Sequence, residues 1–237
     1  MTIPKLLLEV QNRRSDIIQL TSDLIKIPTI NPPGTNYREI CEFLSKRLKK
    51  SGFDVDIIRA KGALADTDKY PRFNLVARHE GTYSGPCIHF NSHIDVVDTG
   101  HGWTRDPFGG SIEGDKIFGR GSCDMKGGLA SSIVAAEVFI SIFPKYYGAI
   151  EISATADEET GGYGGVAWLA EKGYFNPKKV QSVIIPEPLN KDRICLGHRG
   201  VWWSEIETKG RVAHGSMPFL GDCAITHMGA VLEESEN

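Results

Sequence analysis

The sequence predicts an α/β sandwich with a mostly parallel central sheet. Two observations carry this prediction. Helix-period segments alternate with apolar strand-like runs, which is the pattern of strands joined by helical crossovers. Clusters of acids and glycines follow those runs directly, in the position where an open α/β sheet assembles its site beyond the carboxyl ends of its strands.

Each element has a local reason. Ile17, Leu20, Leu24 and Ile25 recur at helical spacing, and Pro28 with Pro32-Pro33 closes that segment. Thr35 to Ser51 reads as a second helix, ended by Gly52. Phe53 to Arg59, Phe73 to Arg78 and Cys87 to Asn91 read as strands. Met125 to Phe143 is a helix crowded with small residues, suited to close packing on a sheet. Ala149 to Ala156 is a strand, Gly162 to Lys172 a helix and Ser182 to Ile185 a short buried strand. Ile194 through Thr208 alternates as a hairpin or long strand does, and Asp222 to Glu234 reads as a helix. There is no internal repeat or low-complexity tract.

The clusters are His93-x-Asp95, the run Gly119-Arg120-Gly121-Ser122-Cys123-Asp124-Met125-Lys126-Gly127-Gly128, Asp157-Glu158-Glu159, and Pro186-Glu187-Pro188. Imidazole and carboxylate together suit zinc or a similar divalent ion, and a carboxylate between two cations can bridge them. Two cations about 3.5–4 Å apart polarise a carbonyl, acidify a bridging water and stabilise the oxyanion formed on attack. That is amide hydrolysis by an activated water. A further carboxylate, not spent on binding, must take the water's proton and pass it to the leaving amine. The adjacent Glu158-Glu159 pair offers one residue for each task.

These motifs, together with Gly210-x-x-x-His214-x-Ser216-x-Pro218, resemble the metallopeptidase family that includes acetylornithine deacetylase, succinyl-diaminopimelate desuccinylase and carboxypeptidase G2. The similarity runs from about Ile17 to the last residues, with the motifs in the family's order. It implies a zinc-exopeptidase-like fold in which His93 and Glu187 hold one metal, Asp124 bridges and Glu159 holds the other. Two Zn2+ ions are expected, with Co2+ as the alternative. Asp95, on the same side of an extended segment as His93, would accept the ligand histidine's second N–H and fix its tautomer. Glu158 would be the general base.

The resemblance also implies a smaller α+β dimerisation domain inserted into the catalytic domain. That insertion is expected to begin near Gly197 to Trp203, dividing the chain at 1–196 and 197–237. His214 would reach into the partner subunit's site and help hold the substrate carbonyl oxygen, which implies a homodimer; the bare sequence equally allows an ordinary surface loop there. The family's remaining ligand to the second metal is a histidine beyond position 237. The expectation is therefore the N-terminal portion of a longer protein, inactive alone and holding at most one metal tightly.

The resulting functional expectation is a cytoplasmic, metal-dependent amidohydrolase that removes an acetyl, succinyl or formyl group from a small amino acid or amine. A carboxypeptidase or dipeptidase with the same site is the alternative enzyme, and a catalytically inactive metal-binding protein is the alternative of another class.

Other readings fare less well. A net charge of -3 favours neither nucleic acid nor an anionic membrane. With 41% apolar residues the chain can bury a substantial core. Leu6-Leu7-Leu8 is followed by Glu9, far short of a signal sequence, and Glu137 breaks the apolar stretch Ile133 to Ile142. Five scattered cysteines suggest neither a disulfide framework nor a thiolate zinc site, and Cys123 reads as a small buried side chain. His79, His89, His101 and His227 read as surface or core residues, and His198 stands where the small domain should begin. Gly162-x-Gly164-x-x-Ala167 mimics a dinucleotide fingerprint, but Asp157-Glu158-Glu159 intervenes after the strand and would repel a pyrophosphate.

Overall fold

The structure, a computed structural model, describes residues 3–190, 192–197, 199–202 and 204–235. The chain forms two compact units, Met1–Asn190 and Lys191–Asn237.

The first unit opens with three helices: α1 (Ile3–Asn12), α2 (Arg14–Ile25) and α3 (Tyr37–Lys50). The end of α3 shows how the sequence fixes a boundary. Gly52 takes φ 86°, a left-handed conformation that costs glycine little. The chain then turns back, so that Phe53 N–H reaches the Leu48 carbonyl at 3.1 Å.

Next come β1 (Asp54–Arg59), β2 (Phe73–Glu80), β3 (Tyr83–His93) and a small hairpin, β4 (Ser111–Glu113) with β5 (Lys116–Phe118). A tight turn over Ser122–Lys126 leads into α4 (Gly127–Ile142), and β6 (Tyr147–Thr155), α5 (Val166–Glu171) and β7 (Val180–Ile184) complete the unit. The main sheet has the order β1-β2-β6-β3-β7.

The sheet is mixed, which corrects the mostly parallel expectation. β3 runs parallel to β6 and β7, whereas β2 is antiparallel to both β1 and β6. The physical reason lies in the connections. Only strands joined by long crossovers such as α4 can pair in parallel. β1 and β2 are linked without a helix, and Gly81-Thr82 reverses the chain between β2 and β3, with β6 lying between those two strands.

The alternation of strand side chains sorts the two faces. Leu75, Ala77, Ile150, Ile152 and Ala154 join Leu24 of α2, Ile40, Leu44 and Leu48 of α3, and Ile133 and Val134 of α4 in one buried cluster. α4 belongs to a stretch, Ser122–Ile142, that is long and apolar enough to cross a membrane by composition, yet over half of it is buried inside the protein. The opposite face is polar: His89, Asn91, Glu151 and Ser153 are buried there, and His89 Nε2 lies 2.7 Å from Ser153 Oγ. Asn74 donates to the Gly164 carbonyl and the His89 ring meets Phe175, so the segment around α5 covers this side.

Two further expectations change. β7 is an edge strand and not a buried one: Val180 alone is buried, while Val183 and Ile184 remain exposed because, among the described residues, no strand lies beyond them. In the second unit, no strand forms among the described residues of Ile194–Thr208. Alternation needs a ladder partner to become a strand, and here Ile194 and Leu196 stand open to solvent. That unit contains a short turn (Pro218–Leu220), α6 (Ala224–Ser235) and a bridge between Arg211 and Asp222.

Candidate metal centre

The three parallel strands deliver the site. His93 ends β3 and pairs with Thr155 at the end of β6, so His93-x-Asp95 and Asp157-Glu158-Glu159 emerge side by side. Glu187 follows β7, the other neighbour of β3. Asp124 arrives on the Ser122–Lys126 turn, where its φ of -113° and ψ of 100° break the helical path before α4. Gly128 lets the last two pieces meet: a Cβ there would lie 2.3 Å from the Pro186 carbonyl, so only glycine admits this approach of the Glu187 loop to α4.

His93 forms the floor of the cluster, with a side chain 1% exposed. Its Nε2 lies 2.9 Å from Asp124 Oδ1, 3.7 Å from Glu187 Oε1 and 3.9 Å from Glu158 Oε2. Ligand atoms of His93, Asp124 and Glu159 all lie within 4.8 Å of one another. The acids lie nearer the solvent, with Asp124 and Glu158 about half exposed.

Crowding of these carboxylates sets their protonation. Burial, together with the neighbouring charges of Asp124 and Glu158, raises the Glu159 and Glu187 carboxyls to about 7, although His93 pulls both down. Burial alone would push the His93 imidazole down, but hydrogen bonds to Asp124 and Asp95 outweigh it and lift it to about 11. The His93 hydrogen bond holds Asp124 below the usual carboxylate range. One imidazole therefore serves a surplus of negative charge. The donor set of imidazole nitrogen and carboxylate oxygens fits a divalent ion of the zinc type, which would neutralise that surplus.

Asp95 is fully buried. His93 Nδ1 lies 3.0 Å from the Asp95 main-chain carbonyl and 3.5 Å from its carboxylate. The carboxylate itself accepts the backbone N–H groups of Glu158 at 3.2 Å and Glu159 at 3.1 Å, and the Asn31 side chain at 2.9 Å. It thus touches both the imidazole and the acidic turn.

The remaining sequence-predicted residues lie elsewhere. In the second unit His214 is exposed, with Nδ1 2.8 Å from Ser216 Oγ. Cys123 is exposed, contrary to its reading as a buried side chain. At this turn Met125 and Lys126 point inward, which leaves Cys123 outward. Among the described residues, His79, His89, His101 and His227 are not part of the cluster; His198 lies outside the described residues.

Sequence reading missed the supporting residues. Lys126 is fully buried, with Nζ donating to the Leu24 and Ile27 carbonyls at 2.9 and 2.8 Å. Burial brings its ammonium down to about 7. Arg72, Tyr37 and Asn31 likewise sit beneath the acidic turn. The compact Asn31-Pro32-Pro33-Gly34 string is a signal that pointed to an organised turn there and not merely to a helix stop.

Comparison with known proteins gives a consistent picture. The family model described as peptidase family M20/M25/M40 matches residues 89–231. The chain is 35% identical over 212 residues to a probable succinyl-diaminopimelate desuccinylase of Staphylococcus epidermidis, a match covering 89% of this chain and 48% of that protein. It is 32% identical over 226 residues to a succinyl-diaminopimelate desuccinylase of Acinetobacter baumannii, covering 93% and 56% respectively. The chain thus spans about half the length of these relatives. Its fold is similar to that of human carnosine dipeptidase 1, with a TM-score of 0.64, 21% identity and coverage of 78% of this chain and 41% of that one. It is also similar to a di-peptidase of Saccharomyces cerevisiae, with a TM-score of 0.66, 20% identity and coverage of 89% and 43%.

Proposed function

The chain belongs to peptidase family M20/M25/M40, and on that premise we infer that it carries the metal site of a hydrolase that removes an acyl group from a small amino acid or amine. The observation that carries the reading is the meeting of His93, Asp124 and Glu159 within 4.8 Å, with Glu158 and Glu187 beside them. The acyl-amino-acid substrate is favoured because the curated relatives at 32–35% identity are named as desuccinylases.

In this reading His93 and Glu187 would hold one cation, Asp124 would be shared, and Glu159 would serve a second. Zn2+ suits this donor set and Co2+ can replace it. Bound there, the cations would supply Lewis acidity toward the scissile carbonyl and would lower the pKa of a water. The protein's own groups do the rest. Glu158, exposed at the rim, takes the water's proton and returns it to the leaving amine. Asp95 orients the His93 ring and anchors the acidic turn, so that Glu158 and Glu159 keep their spacing from the imidazole. In a homodimer, His214 of one subunit would bind the substrate carbonyl oxygen in the site of the other.

The test is an assay of the complete protein with added zinc or cobalt against N-acetyl, N-succinyl and N-formyl amino acids and amines, with dipeptides in parallel. Release of free amine from one acyl class is the expected result. Cleavage of dipeptides alone would move the assignment to the dipeptidase branch. Metal binding without any hydrolysis would leave a binding protein.

A further inference from the structure

We propose that Asn31 is a positioning residue of this centre: its carboxamide ties Asp95 to Thr160 and so holds Glu158 and Glu159 at the distance from His93 that a cation needs. The inference rests on the reading of the site as a metal centre.

Asn31 is 1% exposed. Its Nδ2 donates to Asp95 Oδ2 at 2.9 Å and to Thr160 Oγ1 at 2.9 Å. Asp95 in turn accepts the N–H groups of Glu158 and Glu159. Carboxamide, carboxylate and turn therefore close a ring around the two glutamates, entered from Asp95 at one end and Thr160 at the other. The ring is fixed to the strand end that carries the histidine. Asn31 N–H donates to the Val96 carbonyl at 2.9 Å, Val96 N–H donates to the Thr29 carbonyl at 3.0 Å, and the Thr29 hydroxyl donates to the Ile94 carbonyl. Asn31 and His93 thus share one rigid frame.

The residue type follows from the chemistry. Asp95, as a carboxylate, only accepts, so the amide must turn its nitrogen toward it. Both protons of that one nitrogen are used, one for Asp95 and one for Thr160. Serine and threonine have a single hydroxyl proton and aspartate has none when ionised, so none of them can make both links. The orientation leaves Asn31 Oδ1 buried and without a hydrogen bond in the structure. Buried polar atoms are rarely left so, and each exception calls for a reason. Here the reason is the bidentate donation, which fixes the amide with its oxygen facing away from any donor.

A structural clamp and a positioning clamp differ in what their loss does. The first lowers stability alone, while the second lowers metal affinity in a chain that is still folded. The test compares Asn31→Ala, Thr160→Val and Thr29→Val with the parent chain, and includes His93→Ala as the reference for the centre itself. Cobalt affinity is read by competition with a chromophoric chelator, the bound cobalt by its visible absorption, and stability by urea unfolding without metal.

Asn31→Ala is expected to lower cobalt affinity about 10–100-fold and to change the cobalt spectrum, as loss of a partner behind the ligands does. Thr160→Val, at an exposed position, is expected to keep the urea midpoint and lose about 10-fold in affinity, the lower end of that range. Thr29→Val, which loosens the frame that carries Asn31, should lower the urea midpoint and reduce affinity by less than Asn31→Ala does. If Asn31→Ala does not fold, Thr160→Val decides. Unchanged affinity in His93→Ala would sink the metal reading itself. Loss of binding in His93→Ala, with Asn31→Ala and Thr160→Val both at parental affinity, would overturn the role of Asn31 alone.

Discussion

Arg72 donates through Nε to the carboxylate of Asp157 at 3.0 Å, and both side chains are only 3% exposed. The pair sits directly behind Glu158. Tyr37 adds its hydroxyl to the same carboxylate at 3.1 Å, and Arg72 Nη1 donates to the carbonyls of Pro33 and Tyr70. Burial raises the Asp157 carboxyl, and the Arg72 guanidinium counters it. Asp157 also takes φ 63°, a left-handed conformation that aspartate tolerates better than most side chains.

Removing one member of a buried pair leaves the other charged and unpaired, which typically costs about 3–5 kcal/mol. Arg72→Leu is expected to fall in that range in urea unfolding at neutral pH. Adding Asp157→Asn to it should recover part of the loss, since the unpaired charge is then gone. A cost for Arg72→Leu below about 1 kcal/mol, the level of an exposed pair, would mean that the ion pair does not hold the turn.

The division of labour between the adjacent glutamates gives a second expectation. In the complete protein, Glu158→Ala should abolish turnover, by about 10²–10⁴-fold or more, while leaving metal content unchanged. Glu159→Ala should lower metal content, since Glu159 groups with His93 and Asp124. Elemental analysis of both purified variants, alongside hydrolysis rates, separates the two roles. Equal metal loss in both would show the roles to be wrongly divided.

Asp95→Asn should weaken metal affinity or activity by about 10–100-fold, with His93→Ala and Asp124→Ala far more severe. The amide would present N–H protons where the carboxylate now accepts from Glu158, Glu159 and Asn31. One donor must then face another, so the loss should not add to that of Asn31→Ala when the two are combined. A silent Asp95→Asn would remove Asp95 from the role of orienting carboxylate.

What was legible in the sequence and what was not divides along a physical line. His93, Asp124, Glu158, Glu159 and Glu187 were legible because each stands just after an apolar run or at a glycine-rich turn, and local pattern fixes both. The end of α3 was legible for the same reason, since Gly52 follows the last helical residues. The insertion of β6 between β2 and β3 was not legible: the two strands are consecutive in the chain, joined by Gly81-Thr82, and only the tertiary ladder shows that they are separated. The hold of Thr29 and Asn31 on the site was likewise hidden, because hydrogen bonds between residues 64 or more positions apart leave no periodicity. Glu137 illustrates both sides. In the sequence it only interrupts an apolar stretch; in the fold it is 8% exposed and accepts from Arg13, Arg47 and Ser51.

That last network carries the final prediction. Arg47 on α3 donates to both oxygens of Asp16 on α2, at 2.9 and 2.8 Å, and to Glu137 on α4, while Arg13 pairs with Asp16 as well. The Arg47 hydrogen bonds are the largest influence on Asp16, and with Arg13 they hold its carboxyl down at about 2 against the opposing effect of burial. A carboxyl depressed in the folded state stabilises the fold wherever it is ionised in both states, and that stabilisation is lost as pH falls from the ordinary aspartate value through about 2. Because Asp16 is still 29% exposed, solvent screening reduces the expected contribution to about 1 kcal/mol. Asp16→Asn should therefore be about 1 kcal/mol less stable than the parent at pH 7, with the difference closing between about pH 5 and about pH 2. Urea unfolding at a series of pH values reads this directly. A gap that stayed constant down to pH 2 would mean that Asp16 contributes through packing and not through its charge.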